Sequence, residues 1–243
     1  MSKKSKSKND TFGNMPVNHY ERIDKDLLQE PENPNFGKTH NFKIPFRMIV
    51  CAPSGSGKSN FVIDLISRFS HGKGTFSSIN IITKNSDEPL YNQLKRKSDQ
   101  ILISEGIGSI PQLDKFDKDL NHLVIFDDLV LEKDQHKIEQ YYIRCRKQNV
   151  SVIYLSQSFY AIPKMIRKNA NYMVILKLGN QRDVNMIMRE FALGVDKEDL
   201  IKIYQYATAE KFSVLIVNLD SDITKRFSKG YFDFIRVRTI DST

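Results

Sequence analysis

The segment Ala52-Pro-Ser-Gly-Ser-Gly-Lys-Ser59 constrains this chain more than any other stretch. It follows the pattern G-x-x-x-x-G-K-[ST] except at the first position, where Ala52 replaces glycine. Gly55 and Gly57 allow the backbone to curl with its N–H groups turned inward on an anion. A helix starting near Lys58 directs its positive end at the same point. Lys58 can then reach the β- and γ-phosphates of a nucleoside triphosphate such as ATP, and the Ser59 hydroxyl can ligate Mg²⁺. Nucleotide contacts are expected from Pro53, Ser54, Gly55, Ser56, Gly57, Lys58, Ser59 and Asn60. The flanks support the motif: an apolar run, residues 48–52, leads in and the amphipathic stretch NFVIDLISRF leads out. A flexible turn with an accidental lysine is the competing reading, and it accounts for neither flank. Alanine suits the strand exit unless position 52 requires a positive φ.

From about residue 46 onward, strand-length apolar runs alternate with helix-like stretches. The runs are FRMIVCA, SINIITK, HLVIFDD, VSVIYLSQ, YMVILKL and FSVLIVNL. Several are nearly continuous rather than alternating, as expected of strands buried on both faces of a mostly parallel sheet. The helical stretches are residues 58–69, 89–97, 133–147, 163–169 and 181–191. The pattern predicts an α/β domain over residues 46–243, with helices on both faces and ligands at the carboxyl ends of the strands.

The run HLVIF ends in Asp127 and Asp128, which should lie at the same sheet edge as the phosphate loop. Asp127 would hold Mg²⁺ through its water shell, and Asp128 would act as general base toward the attacking water. Adjacent carboxylates repel, so one pKa should rise unless a cation such as Lys58 or Mg²⁺ intervenes. Two acids here favour hydrolysis over transfer to an acceptor, which weighs against a small-molecule or nucleoside kinase. The next run ends in Ser156 and Gln157. The Gln157 amide could hold the attacking water or the γ-phosphate, or it could merely cap the following turn. Arg144 and Arg146 precede that strand and Arg167 follows it. Each could reach a neighbouring subunit's γ-phosphate in a ring, or be an ordinary surface charge.

The net charge of +8 favours polyanionic partners, nucleic acid among them. Lys84, Lys95, Arg96 and Lys97 are candidates for gripping a phosphate backbone, with a solvated helix face as the alternative. Residues 1–45 carry Lys3, Lys4, Lys6 and Lys8 and then the turn-rich PENPNFGKTHN. They read as a basic, partly disordered tail with one short helix at HYERIDKDLLQ. Cys51 and Cys145 are too few for a disulfide framework and lack metal-ligand spacing. No secretory leader or membrane span is expected.

Taken together, APSGSGKS, VIFDD, RCRKQNVSVIYLSQS, IPKMIRKNANYMVI, KFSVLIVNL and RFSKGYFDFI resemble the viral genome-packaging ATPases of the poxvirus, giant-virus and virophage type. These fall within the FtsK–HerA group of P-loop motor ATPases. The resemblance spans roughly residues 45–240 and implies an ASCE, RecA-like P-loop core with the Gln157 strand between the loop strand and the acidic strand. It further implies a ring oligomer that drives double-stranded DNA, without regard to sequence, into a preformed capsid, with portal or vertex proteins as partners. Location in the host cytoplasm, a viral factory or the virion would follow. Lys58 and Ser59 resemble the Walker A lysine and hydroxyl, and Asp127 the Walker B magnesium acid. Asp128 stands where many relatives carry a catalytic glutamate, and Gln157 resembles the sensor glutamine. Arg146 falls where relatives often carry an arginine–histidine pair, though Lys147 follows it here; the resemblance makes it the first candidate for a trans-acting finger. A nucleotide-gated assembly switch is the alternative function.

Overall fold

The computed structural model describes residues 23–24, 31–191 and 194–237. The chain divides into two units, residues 1–30 and 31–243. The amino-terminal lysines and, apart from Ile23 and Asp24, the expected short helix lie outside the described residues.

The second unit is built on a nine-stranded sheet. Its strands are β1 (Arg47–Cys51), β2 (Ser78–Thr83), β3 (Ile101–Glu105), β4 (His122–Asp127), β5 (Val150–Ser156), β6 (Tyr172–Ile175), β7 (Leu215–Asn218), β8 (Phe227–Lys229) and β9 (Asp233–Phe234). The spatial order is β3-β2-β4-β5-β1-β6-β7-β8-β9. The six strands from β3 to β6 are parallel, and β7 to β9 extend the sheet antiparallel. The helices are α1 (Lys58–Phe69), α2 (Pro89–Lys95), α3 (His136–Arg144), α4 (Lys164–Asn169), α5 (Gln181–Phe191), α6 (Lys197–Ala207) and α7 (Ile223–Arg226).

The central strands are buried on both faces, which is why their sequences are continuously apolar. Ile49 and Cys51 of β1 face a core shared with α3, α5 and α6, while Met48 and Val50 face a second core shared with α1 and α2. β4 divides the same way, Val124 and Phe126 to the first core and Leu123 and Ile125 to the second. Helices therefore cover both faces, as the alternation of runs predicts.

β3 and α6 are additions to the elements expected from the sequence. In β3 only Ile101 is buried, so ILISE carries little hydrophobic signal. α6 buries Leu200, Ile203, Tyr204 and Ala207 at helical spacing, and the Asp196 side chain caps its start by accepting from the Glu198 N–H.

The compact unit begins at Pro31 rather than after residue 45. The asparagines and threonines that read as loose chain bond to the body instead. Asn35 Nδ2 donates to the carbonyls of Phe69 and His71 at 2.9 and 3.0 Å. Thr39 donates to the Arg68 carbonyl at 2.9 Å, and buried Phe42 meets the Tyr172 ring edge-on. No helix among the described residues is long and apolar enough to cross a membrane.

Candidate active site

β5 lies between β1 and β4, with Cys51 in register with Ser156 and Asp127 with Leu155. All three strands are parallel, so the loop after β1, the acids ending β4 and the amide after β5 emerge at one edge of the sheet. The expected convergence of Lys58, Ser59, Asp127, Asp128 and Gln157 is thus a consequence of strand order.

The loop has the conformation its glycines permit. Gly55 has φ 72°, and Gly57, with φ 104°, is the residue preceding α1. A side chain on Gly57 would place its Cβ 2.5 Å from Phe212 Cδ1, so this position needs glycine for space as well as for backbone. Ala52 is buried and is not among the described residues with positive φ. It continues the strand by donating its N–H to the Ser156 carbonyl at 3.1 Å, so alanine fits where the pattern has glycine. Lys58 Nζ donates to the carbonyls of Ala52 and Pro53 at 2.7 and 3.1 Å, holding the ammonium across the mouth of the loop. Burial lowers its pKa, and the charges of Asp127 and Asp128 work in the opposite direction.

Asp127 is buried, and its Oδ2 accepts from the Tyr91 hydroxyl at 2.5 Å. Burial raises its pKa most; the Tyr91 bond lowers it, the charges of Glu88 and Asp128 raise it, and Lys58 lowers it. The repulsion expected between adjacent acids therefore acts, with Asp127 as the acid pushed up. Asp128 adopts a left-handed backbone, φ 55°, which aspartate tolerates better than most residues. It is half-buried, and its Oδ1 accepts from Gln157 Nε2 at 3.3 Å. The turn after β5 has other supports. Ser156 Oγ accepts from the Ser158 N–H at 3.2 Å, and Asp183 accepts from the Ser158 hydroxyl and the Tyr160 N–H at 3.2 and 3.0 Å. Gln157 is thereby left to face Asp128 rather than to cap the turn.

The arginines separate. Arg167 is 10% exposed, pairs with Glu190, donates to the Ile162 carbonyl at 3.1 Å and lies over the Phe159 ring. Those contacts hold it inside its own subunit. Arg144 and Arg146 are exposed and precede β5, at the sheet edge opposite Asp127 and Asp128. Arg144 and Lys147 line a groove of about 1110 Å³ beside α3. Lys84, Lys95, Arg96 and Lys97 are all exposed, the last three at and just beyond the end of α2.

Three neighbours of the site were not among the residues singled out in the sequence. Tyr91 lies on α2 with its side chain fully buried, and its hydroxyl bonds Asp127. Glu88, just before α2, acts electrostatically on Lys58, Tyr91 and Asp127. Phe212 sits against Gly57 at φ 67°, beside a cavity of about 280 Å³ that Asn60, Phe61, Lys229 and Tyr231 also line. A tyrosine at a buried helix position is the one sequence signal among these, since a buried phenol demands a partner.

The donor set suits a hard divalent cation. Ser59, at the start of α1, and Asp127, at the end of β4, offer oxygen ligands at the same edge of the sheet. Among the described residues no group of three or more His, Cys, Asp or Glu could hold a metal. Magnesium bound through one carboxylate, a hydroxyl and substrate phosphates requires no such group.

Comparison with known proteins identifies the family and the fold. The family model described as "Poxvirus A32 protein" matches residues 33–229. The genome packaging NTPase B204 from Sulfolobus turreted icosahedral virus 2, solved with ATP-gammaS, is similar at TM-score 0.57 and 13% identity, over 81% of this chain and 100% of that one. EssC (ATPases 2 and 3) from Geobacillus thermodenitrificans gives TM-score 0.54 and 11% identity, over 83% of this chain and 42% of that one. Both likenesses show a shared P-loop NTPase fold. A search of curated proteins by sequence finds no match.

Proposed function

The chain belongs to the poxvirus A32 protein family, and on that premise we propose that it is an ATPase which drives double-stranded DNA into a viral capsid as part of a ring oligomer. The observation that carries this reading is the meeting of Lys58, Ser59, Asp127, Asp128 and Gln157 at the ends of three adjacent parallel strands. The similarity in fold to a genome packaging NTPase supports it.

The chemistry follows from the residues. The N–H groups of residues 54–60 cradle the phosphates, and the Lys58 ammonium moves from loop carbonyls to phosphate oxygens. The nucleobase occupies the cavity beside Phe212, with Asn60 and Tyr231 on its walls. Mg²⁺ held by Ser59 and Asp127 would neutralise charge on the β- and γ-phosphates. Asp128 accepts a proton from the attacking water. With Gln157 Nε2 committed to Asp128 Oδ1, Gln157 Oε1 and Asp128 Oδ2 are left to accept the two hydrogens of that water and so aim its lone pair. Arg146, remote from its own site, acts on a neighbour's nucleotide. The exposed Lys84, Lys95, Arg96 and Lys97 contact the DNA backbone, which makes the grip independent of sequence and sensitive to salt. Portal or vertex proteins receive the ring, in a viral factory or the host cytoplasm.

The test is the rate of ATP hydrolysis with and without double-stranded DNA. DNA should stimulate turnover, and Lys58→Ala should abolish it. Turnover indifferent to DNA at every salt concentration would indicate a nucleotide-gated assembly switch instead. Phosphate transfer to a nucleoside would indicate a kinase.

A further inference from the structure

We propose that Tyr91 is a positioning residue that fixes the Asp127 carboxylate in the single orientation from which it holds the catalytic divalent cation. This rests on the reading of the site as a metal–nucleotide centre.

Tyr91 comes from α2, which no nucleotide motif includes. Its ring is 0% exposed and packs in the core shared with α1, together with Leu94 one turn later. Phenylalanine would fill that space equally well, so packing does not explain the hydroxyl. The hydroxyl lies at the one polar place within reach. It donates to Asp127 Oδ2 at 2.5 Å. The two side chains meet from separate elements, Asp127 at the end of β4 and Tyr91 on α2.

The consequences are geometric. A carboxylate with one oxygen tied to a buried phenol cannot rotate about its Cβ–Cγ bond, so Oδ1 keeps a single direction. Helix α2 follows β2, where Thr83 is in register with Asp127. Pro89 stands in its first turn and sets the backbone there for a helix. The phenol is therefore carried by backbone that the sheet itself aligns with the acid. Groups that orient a metal ligand in this way typically change metal affinity by about 10–100-fold when removed.

The experiment uses the full chain and Tyr91→Phe, which removes one oxygen and leaves the ring. Calorimetry with ATP-gammaS is run across a Mg²⁺ titration and again in chelator. Half-saturating Mg²⁺ should rise at least about tenfold in the variant, while nucleotide affinity in chelator stays that of the wild type. Leu94→Ala, which loosens the packing of α2 and keeps the hydroxyl, should lower the melting temperature without moving the Mg²⁺ dependence. A Tyr91→Phe titration superimposable on the wild type's would overturn the proposal while leaving the nucleotide site intact. A wild-type chain with no Mg²⁺-dependent binding would overturn the reading of the site itself, and this inference with it.

Discussion

Gln157, one residue beyond β5, donates its side-chain amide across 3.3 Å to Asp128, one residue beyond β4. Two adjacent strands thus end in a coupled pair, an acid able to take a proton and an amide able to orient the group that gives it. The left-handed backbone of Asp128 turns the chain at this point while Asp127, next to it, stays buried in the strand. Neighbouring acids acquire different environments from that turn: one anchored to Tyr91, the other half-buried beside an amide.

Removing the base without removing its shape should separate chemistry from binding. Asp128→Asn is expected to lower kcat by about 10²–10⁴-fold and to leave the affinity for ATP-gammaS unchanged in calorimetry. Gln157→Ala is expected to lower kcat by a smaller factor, about tenfold to a hundredfold, because it loses orientation but keeps the base. Equal losses in binding for either variant would show that the pair holds the nucleotide rather than the water.

Gly57→Ala tests the loop. The left-handed backbone should cost about 1–3 kcal/mol, and the new Cβ would also meet Phe212 at 2.5 Å. Gly55→Ala shares the positive φ but meets nothing within 4 Å, so it should be the milder change. Combining Gly57→Ala with Phe212→Ala should recover only the steric part of the stability loss, read by thermal melting. If the nucleobase lies in the cavity beside Phe212, Phe212→Ala alone should weaken nucleotide binding about tenfold. A double variant fully as stable as Phe212→Ala would show that the backbone at Gly57 is unstrained.

Much of this was legible in the sequence because parallel strands buried on both faces advertise themselves. FRMIVCA, HLVIFDD and VSVIYLSQ became β1, β4 and β5, and the polar residues ending each run marked the shared edge. The helices Lys58–Phe69 and Gln181–Phe191 coincide with the stretches read as helical. What stayed hidden depends on contacts between distant segments. Nothing local in EPLYNQLK says that Tyr91 reaches Asp127, 36 residues away. Phe212 lies far from Gly57 in the chain and meets it only because β7 joins the sheet on the far side of β6. The segment from Pro31 read as tail because asparagine and proline favour turns, and a turn's composition does not reveal whether the turn packs.

His40 makes that segment sensitive to acid. It is buried against Phe42 and Phe69, and its Nδ1 accepts from the Phe42 N–H at 3.1 Å, which requires the neutral ring. Burial first, and then the charge of Arg68, bring its pKa down from 6.5 to about 4. The folded value lies below the unfolded one, so between them the unfolded chain binds a proton that the native chain does not. Stability from this group is complete above pH 6.5 and is lost as pH falls toward 4, by no more than about 3 kcal/mol. Melting temperatures measured from pH 7.5 to 4.5 should fall for the wild type and fall less steeply for His40→Gln. Parallel curves for the two proteins would place the acid sensitivity elsewhere.

Arg146 and Arg167 should fail in opposite ways. Arg167 is tied to Glu190 and the Ile162 carbonyl and lies over the Phe159 ring, so Arg167→Ala should destabilise the fold by about 1 kcal/mol through those lost contacts. Arg146→Ala, at an exposed position, should melt within about 0.5 kcal/mol of the wild type. β5 is seven residues long, so Arg146 is separated from Asp128 by about 20 Å of strand and cannot serve its own nucleotide. If it acts on a neighbour, Arg146→Ala subunits should lose turnover by about 10³-fold or more when assembled. Mixing them with Lys58→Ala subunits, themselves inactive, should then restore activity. A mixed interface in one order joins an intact phosphate loop on one subunit to an intact arginine on the other, while the reverse order combines both defects. Recovery that grows with the fraction of mixed interfaces is the expected result; a mixture as inactive as its parts would remove Arg146 from the reaction.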